Sequence, residues 1–507
     1  MSRIEKKALG KLREKFEGKT KYKEGKAMTG EERLKRFTEE NYQKTLTKVN
    51  SHIYHFLGYG HSNAIAVVGN TSVILIDALD SPGYAKDLKE ELARLTDKPV
   101  RTIIYTHGHP DHRGGAGVFR DTVEEVIAFG PQKPMLKYYG RLNDVLNQRG
   151  AFQFGYELTD EEAISQGIGI REGKAVGKGG FDPIPPTTLY QEKEVEREID
   201  GVRLKLVSAP GETDDQIFIW LEEDKVICTG DNYYGCWPNL YAIRGTQYRD
   251  IAAWVEALDQ ILSYGAEALL PGHTRPLMGK GLVQGQLKVF RDAMEYVLLE
   301  TLDCMNRGMS MSEAVERVKL PEEYRDKEYL GEYYGTVEWS VKSIYCGYVG
   351  WFDGNAARLL PVSEREYQAV LRELVGQEKL LEKIRSCLAK GQYQLALQLL
   401  ELVDSGTETA GEAQTTDEAQ TASESQTADG AQTSKAGQTA NARQAGNDKE
   451  EMVKGLKKQA LLGRARQTPS ANARHYLIAS AKSCNPKVAT PKLCPQSYAP
   501  KAATPKL

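Results

Sequence analysis

The chain has 507 residues, 27% of them charged and 40% hydrophobic, with a formal net charge of -3. At ~150 residues per domain that length fits about three domains, and so weak a charge offers no whole-chain field to recruit nucleic acid or an anionic membrane. No run approaches the ~20 apolar residues of a transmembrane segment.

Residues 1–48 read as a charged N-terminal arm of helix and loop. Their lysines (Lys6, Lys7, Lys11) are interspersed with glutamates and no apolar stretch follows, which is not a signal peptide. From residue 49 to about 280 the pattern predicts an α/β domain. Asn63–Val68 and Ser72–Asp77 form an apolar hairpin around Gly69 and Asn70. A helix follows at 84–95 and a strand at Thr102–Thr106. The stretch 150–195 carries six glycines between Gly167 and Gly180 and reads as a long functional loop. Strands are expected at Val202–Val207, Gln216–Leu221 and Lys225–Thr229, then a helix at 249–263 and a last strand ending at Leu270.

Beyond 280 the periodicity is helical, at 284–305, 312–318, 337–349, 363–388 and 392–404, so 281–404 is expected to be a separate helical domain. Its apolar faces exceed what one small helical layer buries, and a homodimer is expected through them. Residues 405–448 repeat Gln-Thr every six positions without large apolar residues, and read as a disordered linker. Helix is expected again at 449–482, and an unstructured tail over 483–507. The seven cysteines include no Cys-x-x-Cys pair, which suits a reducing, cytoplasmic compartment. The final Pro-Lys-Leu is close to the Ser-Lys-Leu peroxisomal address, although the same tripeptide also occurs at 491–493.

Of eight histidines, three fall in Thr106-His107-Gly108-His109-Pro110-Asp111-His112, just after the strand TIIY. A turn at a strand's carboxyl end points consecutive imidazoles and a carboxylate inward, where a helix or strand would splay them. Such nitrogen and oxygen donors suit zinc, with iron and manganese as competitors. The plain alternative is an exposed polar loop.

This His-x-His-x-Asp-His segment resembles the signature of the metallo-β-lactamase superfamily, whose fold is an αββα sandwich. Further ligands come there from later strand ends, which match Ala209-Pro210-Gly211-Glu212-Thr213, Thr229-Gly230-Asp231-Asn232 and Pro271-Gly272-His273-Thr274. Glu212 stands where most members have histidine. With Asn239–Gly245 and Gly350–Asn355, it makes the chain similar to the alkylsulfatases, which add a helical dimerisation domain and commonly a sterol-carrier-like domain, for which this chain leaves no room. The resemblance implies two zinc ions. His107, His109 and Glu212 would hold the first, and Asp111, His112 and His273 the second, with Asp231 bridging. Asp111 and Asp231 would serve the catalytic water, which two closely spaced ions activate near neutral pH. The implied substrate is a small alkyl sulfate ester.

Arg244 is the candidate sulfate-binding residue, because a guanidinium fork matches paired oxygens. Its competing reading is a salt bridge to Asp250. Arg249 is a weaker substrate candidate at the start of a helix, where it would otherwise be solvated. Asp77 is expected to orient a ligand histidine. His52, His55 and His61 lie outside ligand spacing and read as structural or rim residues, and Trp351, Phe352, Tyr345 and Tyr348 as helical core, with the lining of an apolar channel as the alternative. Competing functions are hydrolysis of a phosphodiester, thioester or lactone on the same fold, and a non-catalytic binding relative. The seven competent ligand side chains argue against the last.

Overall fold

A computed structural model describes residues 28–131, 133, 136–403 and 432–484, with backbone alone over 432–446. Among the described residues, thirteen strands form two sheets. The first sheet runs in sequence order through β1 (Thr45–Lys48), β2 (Ile53–Leu57), β3 (Ala64–Val68), β4 (Val73–Ile76), β5 (Val100–Ile104), β6 (Glu125–Phe129) and β7 (Thr188–Tyr190). It is antiparallel from β1 to β4 and parallel from β4 to β7. The second comprises β8 (Glu194–Ile199), β9 (Val202–Ser208), β10 (Ile217–Leu221), β11 (Val226–Gly230), β12 (Ala268–Pro271) and β13 (Leu277–Met278), in the order β13-β12-β11-β10-β9-β8.

Alternation along the strands builds the layers. Ile65, Val67, Ile74, Ile76 and Ile104 of the first sheet pack against Leu204, Leu206, Ile217 and Ile219 of the second. The intervening residues of the first sheet, Ala64, Ala66, Val73 and Leu75, face outward and are covered by Ala85, Leu88 and Leu92. Strands buried on both faces read as continuous apolar runs, as in VILI of β4. The result is the expected αββα sandwich.

The helices of this sandwich are α1 (Gly30–Asn41), α2 (Pro82–Leu95), α3 (Pro110–Arg113), α4 (Asn143–Gln153), α5 (Ile251–Ser263), α6 (Lys280–Asn306) and α7 (Val337–Val349). Within the described part of residues 1–48, Phe37 of α1 stacks on Tyr333 at 3.9 Å, and β1, a strand where helix and loop were expected, joins the sheet edge.

The boundary expected at 280 is not a break in packing. Val283, Leu287 and Phe290 of α6 and Val341 and Ile344 of α7 share one core with Trp254 of α5 and Phe218 of β10. These helices are therefore the outer layer of the second sheet, and the first compact unit runs on to Leu360 and takes in Arg466–Ala479. The second unit begins at Pro361. It contains α8 (Glu364–Val375), α9 (Gln377–Ala389) and α10 (Tyr393–Leu400) around Leu380, Ile384, Ala396 and Leu400. The single helix expected at 363–388 is two, because Gly376 takes a left-handed φ of 78° that ends α8.

Helix α11 (Gln432–Gln467) begins before residue 449, so part of the expected linker is helical. It is followed by α12 (Ala471–Ser483). Residues 404–431 and the tail beyond 484 lie outside the described residues. Trp351 is 72% exposed and Tyr348 47%, which corrects their expected place in the helical core, while Tyr345 is buried as expected.

Candidate metal centre

Four loops converge where strands of both sheets end. The turn after β5 and the start of α3 bring His107, His109, Asp111 and His112. The β9–β10 connection brings Glu212, the end of β11 brings Asp231, and the end of β12 brings His273. The strand ends are tied across the sheets, since Ile217 N donates to Thr106 O at 2.9 Å and Gly272 N to Gly230 O at 2.8 Å. All seven ligand positions expected from the sequence therefore meet in one place.

Two groups share Asp231, namely His109, Glu212 and Asp231, and His107, His112 and Asp231; a third is formed by Asp111, His273 and His61. The last corrects an expectation, because His61 is no rim residue. It is 2% exposed and its Nε2 lies 3.7 Å from Asp111 Oδ2. His52 does sit beside Asp224 at 3.3 Å, and His55 is fully buried.

Separations between the donors suit a metal ion. His112 Nε2 is 3.3 Å from Asp231 Oδ1, and His273 Nε2 is 3.2 Å from Asp111 Oδ2 and 3.4 Å from Asp231 Oδ2. Two donors at zinc-like bond lengths in tetrahedral array stand about 3.3–3.5 Å apart. The buried His112 Nε2, His273 Nε2 and Asp231 Oδ1 also lack a hydrogen-bond partner of good geometry, and leaving such atoms unpaired is costly. A divalent cation satisfies all three.

Charge tells the same story. Burial opposes a protonated His273, yet Asp231 and Asp111 raise its pKa to about 10. Burial also opposes an ionised Asp231, but His273, His112 and His107 hold it well below the usual carboxylate range. Protons on His112 and His273 thus stand in for metal charge, and metal binding would displace them.

Supporting contacts fix the donors. Asp77 Oδ2 is 2.7 Å from His112 Nδ1 and accepts from Thr106 Oγ1 at 2.8 Å, as expected of an orienting carboxylate. Asp77 holds a left-handed φ of 57°, strain that a non-glycine residue bears only when its surroundings impose it. Gly272 leaves the cavity open, because a Cβ there would lie 2.5 Å from Asp231 Oδ1 and 2.8 Å from His112 Cε1.

Arg249 differs from expectation. It is 5% exposed, and its Nη1 donates to Glu212 Oε1 at 2.8 Å and to Asn239 O, so it holds a candidate ligand and is neither solvated nor turned to substrate. Tyr234 Oη donates to the other oxygen of Glu212 at 3.2 Å. Burial still pushes Glu212 up to about 7 against Arg249. Removing one partner of a buried pair costs about 3–5 kcal/mol. Arg249→Ala is expected to lower the melting temperature accordingly, whereas an unchanged melting temperature with a raised KM would return Arg249 to substrate binding.

Arg244 is half-buried at the rim. Its backbone N donates to Gln153 Oε1 at 2.9 Å and its Nη2 lies 3.5 Å from His109 Nε2. Asp250 pairs instead with Lys133 at 3.1 Å and caps α5. Among the described residues no carboxylate pairs with Arg244.

A further, partly buried acid was not foreseen. Burial pushes Glu172 up to about 8, although Tyr156 Oη donates to its Oε2 at 2.7 Å. A raised folded-state pKa means stability that is complete below the unfolded value of 4.5 and lost as pH rises through about 8. Glu172→Gln in metal-free protein should match wild type in melting temperature near pH 4.5 and exceed it at pH 9. An equal difference at both pH values would refute this.

Comparison with known proteins agrees with the architecture. Residues 57–273 match the family model for the metallo-beta-lactamase superfamily, and residues 310–429 the model for alkyl sulfatase dimerisation. A linear primary-alkylsulfatase of Pseudomonas sp. is 32% identical over 339 residues, covering 64% of this chain and 63% of that protein. An alkyl/aryl-sulfatase of Saccharomyces cerevisiae is 29% identical over 361 residues, covering 69% and 56%. The chain thus spans less than two thirds of the length of these relatives. A solved stereoselective inverting sec-alkylsulfatase from Pseudomonas sp. superposes with a TM-score of 0.71 at 23% identity, over 90% of this chain and 68% of that one, a likeness of fold.

Proposed function

We propose, for a chain that belongs to the metallo-β-lactamase superfamily and carries an alkyl sulfatase dimerisation region, that it hydrolyses alkyl sulfate esters to alcohol and sulfate at a centre for two zinc ions. The observation that carries this is the convergence of eight nitrogen- and oxygen-donor side chains, none of them a thiolate, beside an arginine that has no carboxylate partner among the described residues. The relatives named above are sulfatases by name, which selects the sulfate ester among the anions such a site accepts.

His107, His109 and Glu212 would hold one ion, and Asp111, His112 and His273 the other. Asp231 suits the bridging role because it belongs to two of the donor groups. Ions held there would supply Lewis acidity and bring the pKa of a water towards neutral. The protein's own groups do the rest. Arg244 presents its guanidinium to the sulfate oxygens, while the rigid β-strand ends fix the donors without reorganisation at the moment of reaction. Asp111, with its side chain 16% exposed against 3% for Asp231, is the one of these two carboxylates more open to incoming water.

The dimer is assigned to α8. No residue of that helix is buried, and Tyr367, Val370 and Leu374 are 60%, 50% and 76% exposed at helical spacing. A second copy is the occupant that the dimerisation family implies. Light scattering is expected to give a dimer at micromolar concentration, shifted to monomer by Val370→Glu with Leu374→Glu. A wild-type monomer would remove the assignment.

A further inference from the structure

We propose that His61 is an additional ligand of the second ion, through Nε2, together with Asp111 and His273. The inference rests on the two-ion reading above and extends its donor set by a residue that no sequence motif contains.

His61 lies in the connection between β2 and β3, far in sequence from the other donors. Its loop is clamped to the end of β12: Asn63 N donates to Gly272 O at 2.7 Å, and Asn63 Nδ2 donates to Pro271 O at 3.0 Å and Thr274 O at 2.9 Å. His61 N donates to Asp80 Oδ1 at 2.9 Å. On its other side the chain at Gly169 approaches so closely that a Cβ there would fall 1.9 Å from His61 O. The ring is therefore held in place before any ion arrives.

Its orientation is that of a ligand. His61 Nδ1 is 3.1 Å from Ile170 O, a carbonyl that can only accept, so Nδ1 carries the proton and Nε2 keeps its lone pair. Metal-ligating histidines nearly always anchor the second nitrogen in this way. The same arrangement recurs beside it: His273 Nδ1 is 3.1 Å from the carbonyl of His61 itself, and His112 Nδ1 is 2.7 Å from Asp77. All three rings then turn Nε2 towards the carboxylates.

Nε2 of His61 stands 3.7 Å from Asp111 Oδ2, too far for a hydrogen bond and a few tenths of an ångström beyond the about 3.3–3.5 Å between two donors on one tetrahedral ion. The three donor atoms of His61, Asp111 and His273 lie within 4.8 Å of one another. A neutral imidazole adds a donor without adding charge, so the second ion should be held more tightly with His61 than without it, while the centre's net charge is unchanged.

The test uses full-length protein labelled with ¹⁵N at histidine and titrated with zinc. Five imidazoles (His61, His107, His109, His112 and His273) should move to the metal-bound range, and His52, His55 and His475 should stay. Stepwise affinities from competition with a chromophoric chelator should show the second ion weakened at least 10-fold in His61→Leu and in His61→Gln. Four moving signals, or stepwise affinities within threefold of wild type in a folded variant, would overturn the proposal. Wild-type protein that takes up fewer than two ions would overturn the two-ion reading itself, an outcome separate from the first because it appears before any substitution is made.

Discussion

Arg244→Ala is expected to keep both ions and the wild-type melting temperature while losing about tenfold to a thousandfold in kcat/KM, equivalent to ~1.5–4 kcal/mol of transition-state binding. No donor is touched by the change. The alternative role, a structural ion pair with Asp250, has no support in the geometry, because Asp250 is engaged by Lys133 and by the first turn of α5. What remains is a guanidinium beside His109 with a backbone anchored on Gln153. Arg244→Lys should recover only part of the loss, since a point charge cannot reproduce the two parallel bonds of the fork. Three proteins measured for melting temperature, metal content and sulfate release decide the matter: a folded, metal-replete Arg244→Ala with wild-type kinetics would end the assignment.

Asp231→Asn is expected to have the larger effect, about a thousandfold or more in turnover, or ~4 kcal/mol and above. Its two oxygens face His107, His112 and His273 at 3.3–3.8 Å, so one substitution strips a charge from both donor groups at once. Elemental analysis should find fewer than two ions per chain. Two retained ions with activity near wild type would show that Asp231 does not bridge.

Much of this centre was legible because its ligands sit where the backbone changes from strand to turn. His107 to His112 follow an apolar strand directly, and Asp231 and His273 each follow another, so sequence spacing and strand ends coincide. His61 was hidden for the opposite reason. It is a lone histidine in a β2–β3 connection, and the pairing of that loop with Gly272 brings it to the other donors. Arg249 misled because its position before α5 suggested exposure, whereas its long side chain turns inward to a buried carboxylate. The helices from 280 to 349 looked like a domain of their own because their periodicity is indistinguishable from that of a free bundle. Phe290 and Ile344 show their apolar stripes spent on the second sheet. Strand β8, with alternating charged residues in EVEREI, lies at a sheet edge and gave no apolar run to read.

Sulfate release from a medium-chain alkyl sulfate by zinc-loaded protein is the most direct measurement of the central claim. The expected result is stoichiometric inorganic sulfate and alcohol, abolished by a strong chelator and restored by zinc. Protein carrying two ions per chain that releases no sulfate across a series of alkyl chain lengths, yet hydrolyses a phosphodiester, thioester or lactone, would contradict it.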